Sequence, residues 1–139
     1  MYWNDDKEIV DSFVLKTIKR FNETSGPDQA LLPQYAVEED REFASKLFRA
    51  ALENADMIRE LIQNNCKNWE FSRLAFMDVI IMQIAMAEIL KFPSIPLNVS
   101  FNEYLDIAKV YSTPRSASYI NGMLDHIVKT LKKENKILK

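Results

Sequence analysis

The chain has 139 residues, enough for one domain with a buried core. Hydrophobic residues make up 47% and charged residues 27%, with Gly 2 and Pro 5, a balance that favours long helices over a many-turned β fold. One cysteine and one histidine leave no disulfide and no Cys/His zinc set, no basic-then-apolar opening marks a signal peptide, and a net charge of −2 argues against a uniformly basic nucleic-acid binder.

The first helical pattern covers residues 5–21, where Val10, Val14, Ile18 and Phe21 recur at helical spacing beside Ile9 and Phe13. The stretch 22–37 holds Gly26-Pro27 and Pro33 and reads as a loop. From Glu38 to about Glu53 a second helix puts Phe43, Leu47, Ala50 and Ala51 on one face, flanked by Phe48 and Leu52. The third carries Met57, Ile58, Leu61 and Ile62 and ends near Asn64-Asn65; it is either separate from the second or one kinked rod with it.

Residues 71–91 are the most apolar segment, with apolar side chains on nearly every side, as expected of a central helix covered by its neighbours. Arg73, Asp78, Gln83, Glu88 and Lys91 interrupt the run and argue against a membrane span. Pro93 and Pro96 end it. Ser100 and Glu103 have capping-box spacing for a fifth helix, whose buried stripe is Phe101, Tyr104, Leu105, Ala108 and Tyr111. Thr113-Pro114 reads as the N-cap and first position of a sixth, which buries Tyr119, Ile120, Met123, Leu124, Ile127, Val128 and Leu131. The expected architecture is all-α, a single domain over 1–139 of about six helices around 71–91.

Charge is distributed unevenly. Residues 1–60 hold 8 Lys/Arg against 13 Asp/Glu, residues 61–139 hold 10 against 7, and Lys129–Lys139 holds five Lys against one Glu. No glycine-rich phosphate loop and no Ser-His-Asp order is present, and His126 reads as a surface or satisfied histidine. Asp78 and Glu88 lie ten residues apart without obvious partners and read as hydrogen-bonded or interface carboxylates, not as a catalytic pair. Cys66 reads as a small apolar filler, and no cofactor is implied. Nothing here suggests an enzyme.

Binding chemistry concentrates in Tyr111–Ile127. A helix start at Thr113-Pro114 favours an anion such as phosphate, with Arg115, Ser112, Ser116 and Ser118 as donors and Lys109 one turn earlier. Tyr111 and Tyr119 either offer rings to unstacked bases or pack into the core. Gly122 reads as a place where a neighbouring helix approaches closely, with Asn121 supplying a hydrogen bond.

An ordered set of motifs in this region closely resembles the NusB transcription antitermination family: Asn68-Trp69, Asp78, Ala85 with Glu88-Ile89, Ile95-Pro96, Val99 with Asn102-Glu103, Ala108-Lys109 with Tyr111-Ser112, and Tyr119-Ile120-Asn121-Gly122 with Leu124-Asp125. The resemblance covers about residues 38–128; residues 1–37 match weakly. It implies an all-helical, non-enzymatic, cytoplasmic protein that binds single-stranded boxA-type RNA with the ribosomal protein NusE inside an RNA polymerase antitermination complex, without contact with membrane. Carried over, RNA contacts fall on Tyr111, Arg115 and Tyr119, with Ser112 and Ser116 nearby, and the partner surface on Asp78; with Lys109 from the anion-site reading above, Lys109, Tyr111, Ser112, Arg115, Ser116 and Tyr119 are the candidate RNA-binding residues.

The opening MYWNDDKEIVDSF is acidic where the family would be basic, and Val79 and Gln83 stand where many members carry cations. Either this chain is the C-terminal portion of a longer member that supplies the basic helix, the reading we prefer, or the fold persists with weakened RNA binding. Two other functional readings stand beside antitermination. An accessory domain of an RNA-modifying methyltransferase would need a downstream catalytic domain. A protein–protein scaffold would not bind RNA.

Overall fold

The computed structural model describes residues 7–32, 37–66 and 74–138. Residues 5–6, Asn68-Trp69 and 71–73, which carry some of the sequence expectations, lie outside the described residues. The chain divides into two compact units, Met1–Arg41 and Glu42–Lys139. Among the described residues all regular structure is helical: α1 (Lys7–Arg20), α2 (Glu38–Glu53), α3 (Ala55–Asn65), α4 (Phe76–Lys91), α5 (Leu97–Tyr111) and α6 (Ser116–Lys133).

The first unit contains α1. Lys7 pairs with Asp11 at 2.6 Å one turn on, and Asn22 folds the following turn by accepting from the Thr24 N–H at 2.9 Å. Val10, Phe13, Val14, Thr17 and Ile18 line an open groove with Leu31 and Leu32. The helical spacing of the apolar residues produces this face, yet no residue of α1 is fully buried.

The second unit holds the core. α4 packs against α3, α5 and α6, and α5 packs along α6. Met82, Ala85, Met86, Ala87 and Ile89 of α4 are each 0–1% exposed and meet Ile58 and Ile62 from α3, Tyr104 and Ala108 from α5, and Ile120, Leu124 and Ile127 from α6. The central-helix expectation therefore holds, with one correction. Among the described residues the helix starts at Phe76, because Ala75 is extended (φ −59°, ψ 133°), and residues 74 and 75 of the expected 71–91 span lie before it; Phe76, just inside, is 73% exposed.

α2 and α3 are separate helices divided by Asn54. The Asn54 side-chain amide donates to the Ala50 carbonyl at 2.7 Å, where its own backbone N–H also arrives at 3.2 Å. The side chain competes for a helical acceptor and breaks the rod. Phe48 and Leu52, expected to flank the buried face of α2, are exposed.

Three further expectations are corrected. Ser100 does not cap α5. That helix begins at Leu97, the Pro96 carbonyl accepting from the Val99 and Ser100 N–H groups, so Ser100 lies inside the first turns with its hydroxyl turned inward. Thr113 does not cap α6 directly. Thr113–Arg115 form a turn closed by the Ser116 N–H on the Thr113 carbonyl at 2.9 Å, and the α-helix runs from Ser116. Gly122 faces open space: a Cβ built there meets nothing within 4 Å, and Asn121 beside it is exposed. The helix-approach reading of that pair fails.

α6 ends in a Schellman motif. Asn135 takes a left-handed φ of 54°, its N–H reaches the Lys132 carbonyl at 3.1 Å, and the Lys136 N–H reaches the Leu131 carbonyl at 2.9 Å. The turn brings Ile137 back onto the core.

Candidate nucleic-acid interface at the α5–α6 junction

Two carboxylates are buried on α4, and each is satisfied by hydroxyls from the next two helices. Glu88, 6% exposed, accepts from Ser100 Oγ at 2.6 Å and Tyr104 Oη at 2.8 Å. Both donors come from α5, so this group ties the C-terminal half of α4 to α5. Burial, followed by the bond to Glu88 and the nearby carboxylate charges, pushes the Tyr104 phenol far above its ordinary range.

Asp78 is also 6% exposed and sits in the first turn of α4, where the helix dipole favours a negative charge. One carboxylate oxygen accepts from the Ser112 hydroxyl and the other from Ser116 Oγ at 2.9 Å. Ser112 is the C-cap that follows the last residue of α5, and Ser116 is the first of α6. Asp78 thus clamps both sides of the junction from beneath.

The protons can be assigned. Each hydroxyl has one. With Ser112 and Ser116 both donating to Asp78, the 2.9 Å between their oxygens is a close approach, not a third donation. Ser116 Oγ then accepts from the Thr113 N–H at 3.2 Å and from Thr113 Oγ1 at 2.7 Å. Ser116 is 2% exposed, and the one proton of its hydroxyl goes to Asp78.

The rest of the sequence-predicted set divides by exposure. Arg115 stands exposed on the turn that Asp78 holds, and no ion pair occupies it among the described residues. Tyr111 is 40% exposed and leaves the buried stripe expected of α5. Lys109 is exposed and pairs along α5 with Asp106 at 2.7 Å, both side chains largely solvated, so the pair is weak and exchangeable. Tyr119 is half-buried: its ring packs against the core while its hydroxyl lies 3.9 Å from Cys66 Sγ at the end of α3. Burial chiefly, with Cys66 and then Asp78 adding to it, pushes this phenol above its ordinary range.

Sequence reasoning brought Ser112, Ser116 and Asp78 into view but placed the serines outward and the aspartate apart. It missed Cys66 as the neighbour of Tyr119, and the Ser100–Glu88–Tyr104 cluster. No local pattern carries contacts of 12 to 53 residues' separation. Val79 and Gln83, noted above as departures from a basic pattern, have structural duties: Val79 is 8% exposed, and Gln83 Nε2 donates to the Ala51 carbonyl at 3.3 Å. Among the described residues no helix is long and apolar enough to cross a membrane.

These features define an all-helical domain whose buried polar groups fasten helices together. A family model described as the NusB family matches residues 7–129, so the match takes in α1 as well as the motif-rich region. The chain belongs to the NusB family. Among curated proteins it is 38% identical over 132 residues to the transcription antitermination protein NusB of Salinibacter ruber, covering 91% of this chain and 82% of that one. It is 42% identical over 91 residues to the protein of the same name from Geobacter sulfurreducens, covering 66% of each. The solved structure of T. maritima NusB matches with a TM-score of 0.64 and 34% identity over 70% of this chain and 69% of that one. The role these relatives are named for, transcription antitermination, is not enzymatic.

Proposed function

We propose that this protein is an RNA-binding antitermination factor. It binds single-stranded boxA-type RNA together with the ribosomal protein NusE, and within that complex it supports processive transcription of ribosomal RNA operons. The observation that carries the reading is Arg115, an exposed cation on a turn whose two ends are both fixed to buried Asp78. A guanidinium on a rigid turn is suited to a phosphate, because little order has to be imposed on binding.

In this reading Arg115 and Lys109 contact the RNA backbone, and Tyr111 and the exposed edge of Tyr119 take bases. Ser112 and Ser116 hold the turn in place. Asp78 serves the partner surface through the same junction, by fixing where α4 meets α5 and α6.

The test is RNA binding by fluorescence anisotropy, with and without NusE, against boxA-type and scrambled sequences. With NusE present, Arg115→Ala should weaken boxA-type binding about tenfold, which is about 1.4 kcal/mol. It should also flatten the log–log salt dependence by about 0.7 for one lost phosphate contact. Equal affinity for the scrambled RNA, or an unchanged salt slope in the variant, overturns the proposal.

A further inference from the structure

A groove of about 320 Å³ lies where the C-terminal ends of α2 and α4 meet, within the second unit. Lys46 and Arg49 of α2 and Lys91 of α4 line it, together with Glu53, Asn54 and Phe92. Three cations against one carboxylate is a marked local excess in a chain of net charge −2.

These cations are poorly neutralised. Among the described residues Arg49 and Lys91 make no ion pair, and Lys46 reaches Glu42 only at 3.9 Å with both side chains largely solvated. Lys46 and Arg49 are three apart on one helix, a like-charge spacing that costs a few tenths of a kcal/mol while the groove is empty. The helix dipole accounts for Lys91, in the last turn of α4, but α2 has no basic residue in its own last turn. The carbonyl ends do not need these cations as donors either. Ala50 accepts from both Asn54 nitrogens, and Glu88 from the Phe92 N–H. Phe92 meets Phe43 edge-to-face, ring centres 5.3 Å apart, which fixes an aromatic ring beside the charges.

We propose that this groove is a second contact for single-stranded RNA, one that follows the phosphate backbone and takes a base against Phe92 without reading sequence. The inference rests on the RNA-binding reading above. Asp78 and Lys91 stand at opposite ends of α4, about 20 Å apart at the helical rise. In this proposal the boxA-type element sits at the Arg115 end and the RNA that flanks it in the groove. The groove supplies phosphate attraction at a site other than the two α4 positions, Val79 and Gln83, which lack it.

The experiment compares two RNAs in the presence of NusE: the boxA-type element alone, and the element extended by a uridine tract at either end. The variant K46Q/R49Q/K91Q removes three exposed charges, and K132Q/K133Q/K136Q removes the same number from the far end of α6 and the following turn. The groove variant should bind the extended RNA about tenfold more weakly, with a log–log salt slope lower by about 2 for three phosphates, and the short RNA within twofold of the parent. The α6 variant should keep extended-RNA affinity within threefold. Parental affinity of the groove variant for the extended RNA overturns the inference alone. So does an equal loss in the α6 variant, or an equal loss on the short RNA. Failure of the parent protein to prefer the boxA-type element overturns the functional reading as well.

Discussion

The clamp at Asp78 makes a quantitative prediction about the α5–α6 junction. Ser116→Ala deletes a hydroxyl that is 2% exposed and donates to a carboxylate that is 6% exposed. A hydrogen bond to a buried charged group contributes about 1.5–3 kcal/mol, and Asp78 keeps only the Ser112 donor in the variant. The Thr113 N–H and hydroxyl lose their acceptor too, but Thr113 is exposed and water replaces it at little cost. The expected loss is therefore about 2 kcal/mol, which lowers a urea midpoint by roughly 1 M. Asp78→Ala should cost at least as much, since it orphans both hydroxyls at once. The two changes share one interaction, so Asp78→Ala/Ser116→Ala should be less destabilised than the sum of the single variants by about 1–2 kcal/mol. Urea unfolding followed by far-UV circular dichroism measures all four corners of the cycle. Additivity to within about 0.5 kcal/mol would refute the clamp.

Other outcomes follow from single residues. Gly122→Ala adds a methyl group into open space within α6 and should stabilise the domain by about 0.5–1 kcal/mol in thermal unfolding; destabilisation would mean that the glycine has a packing role after all. Tyr104→Phe leaves Glu88 with Ser100 as its remaining donor and should cost about 1.5–3 kcal/mol by urea titration, whereas a loss under about 0.5 kcal/mol would deny the bond its part. Tyr104 and Tyr119 hold their protons more tightly folded than unfolded. Above the ordinary tyrosine value of about 10 the unfolded chain releases those protons first, so stability is full below that pH and falls as pH rises past it. A urea midpoint unchanged between pH 9 and 11 would contradict this.

Much of this molecule is legible in one dimension because helices are local objects. Periodicity places α4 in the centre, since apolar residues on nearly every side leave little face for water; Val79, Ile81, Met82, Met86 and Ile89 are buried, while Phe76 stays exposed. The buried face of α6 is read from spacing in the same way, residue for residue from Ile120 to Leu131. Low glycine and proline content sets the helical class, and the ordered motifs from Asp78 to Asp125 carry the family. The helix boundaries are less legible, because a serine or threonine near a helix start has more than one use for its hydroxyl. Ser100, Ser112 and Ser116 all resemble local caps or surface donors, yet each turns to a buried carboxylate on α4.

That choice belongs to the tertiary structure. A carboxylate taken out of water needs donors from whatever packs against it, and here those are hydroxyls 12 to 38 residues away. The sequence by itself determined an all-helical chain built around one apolar helix, because those properties depend on neighbours three and four residues apart. Only the packing of α5 and α6 against α4 decided which polar residues face inward to hold the junction and which, like Arg115, stay exposed.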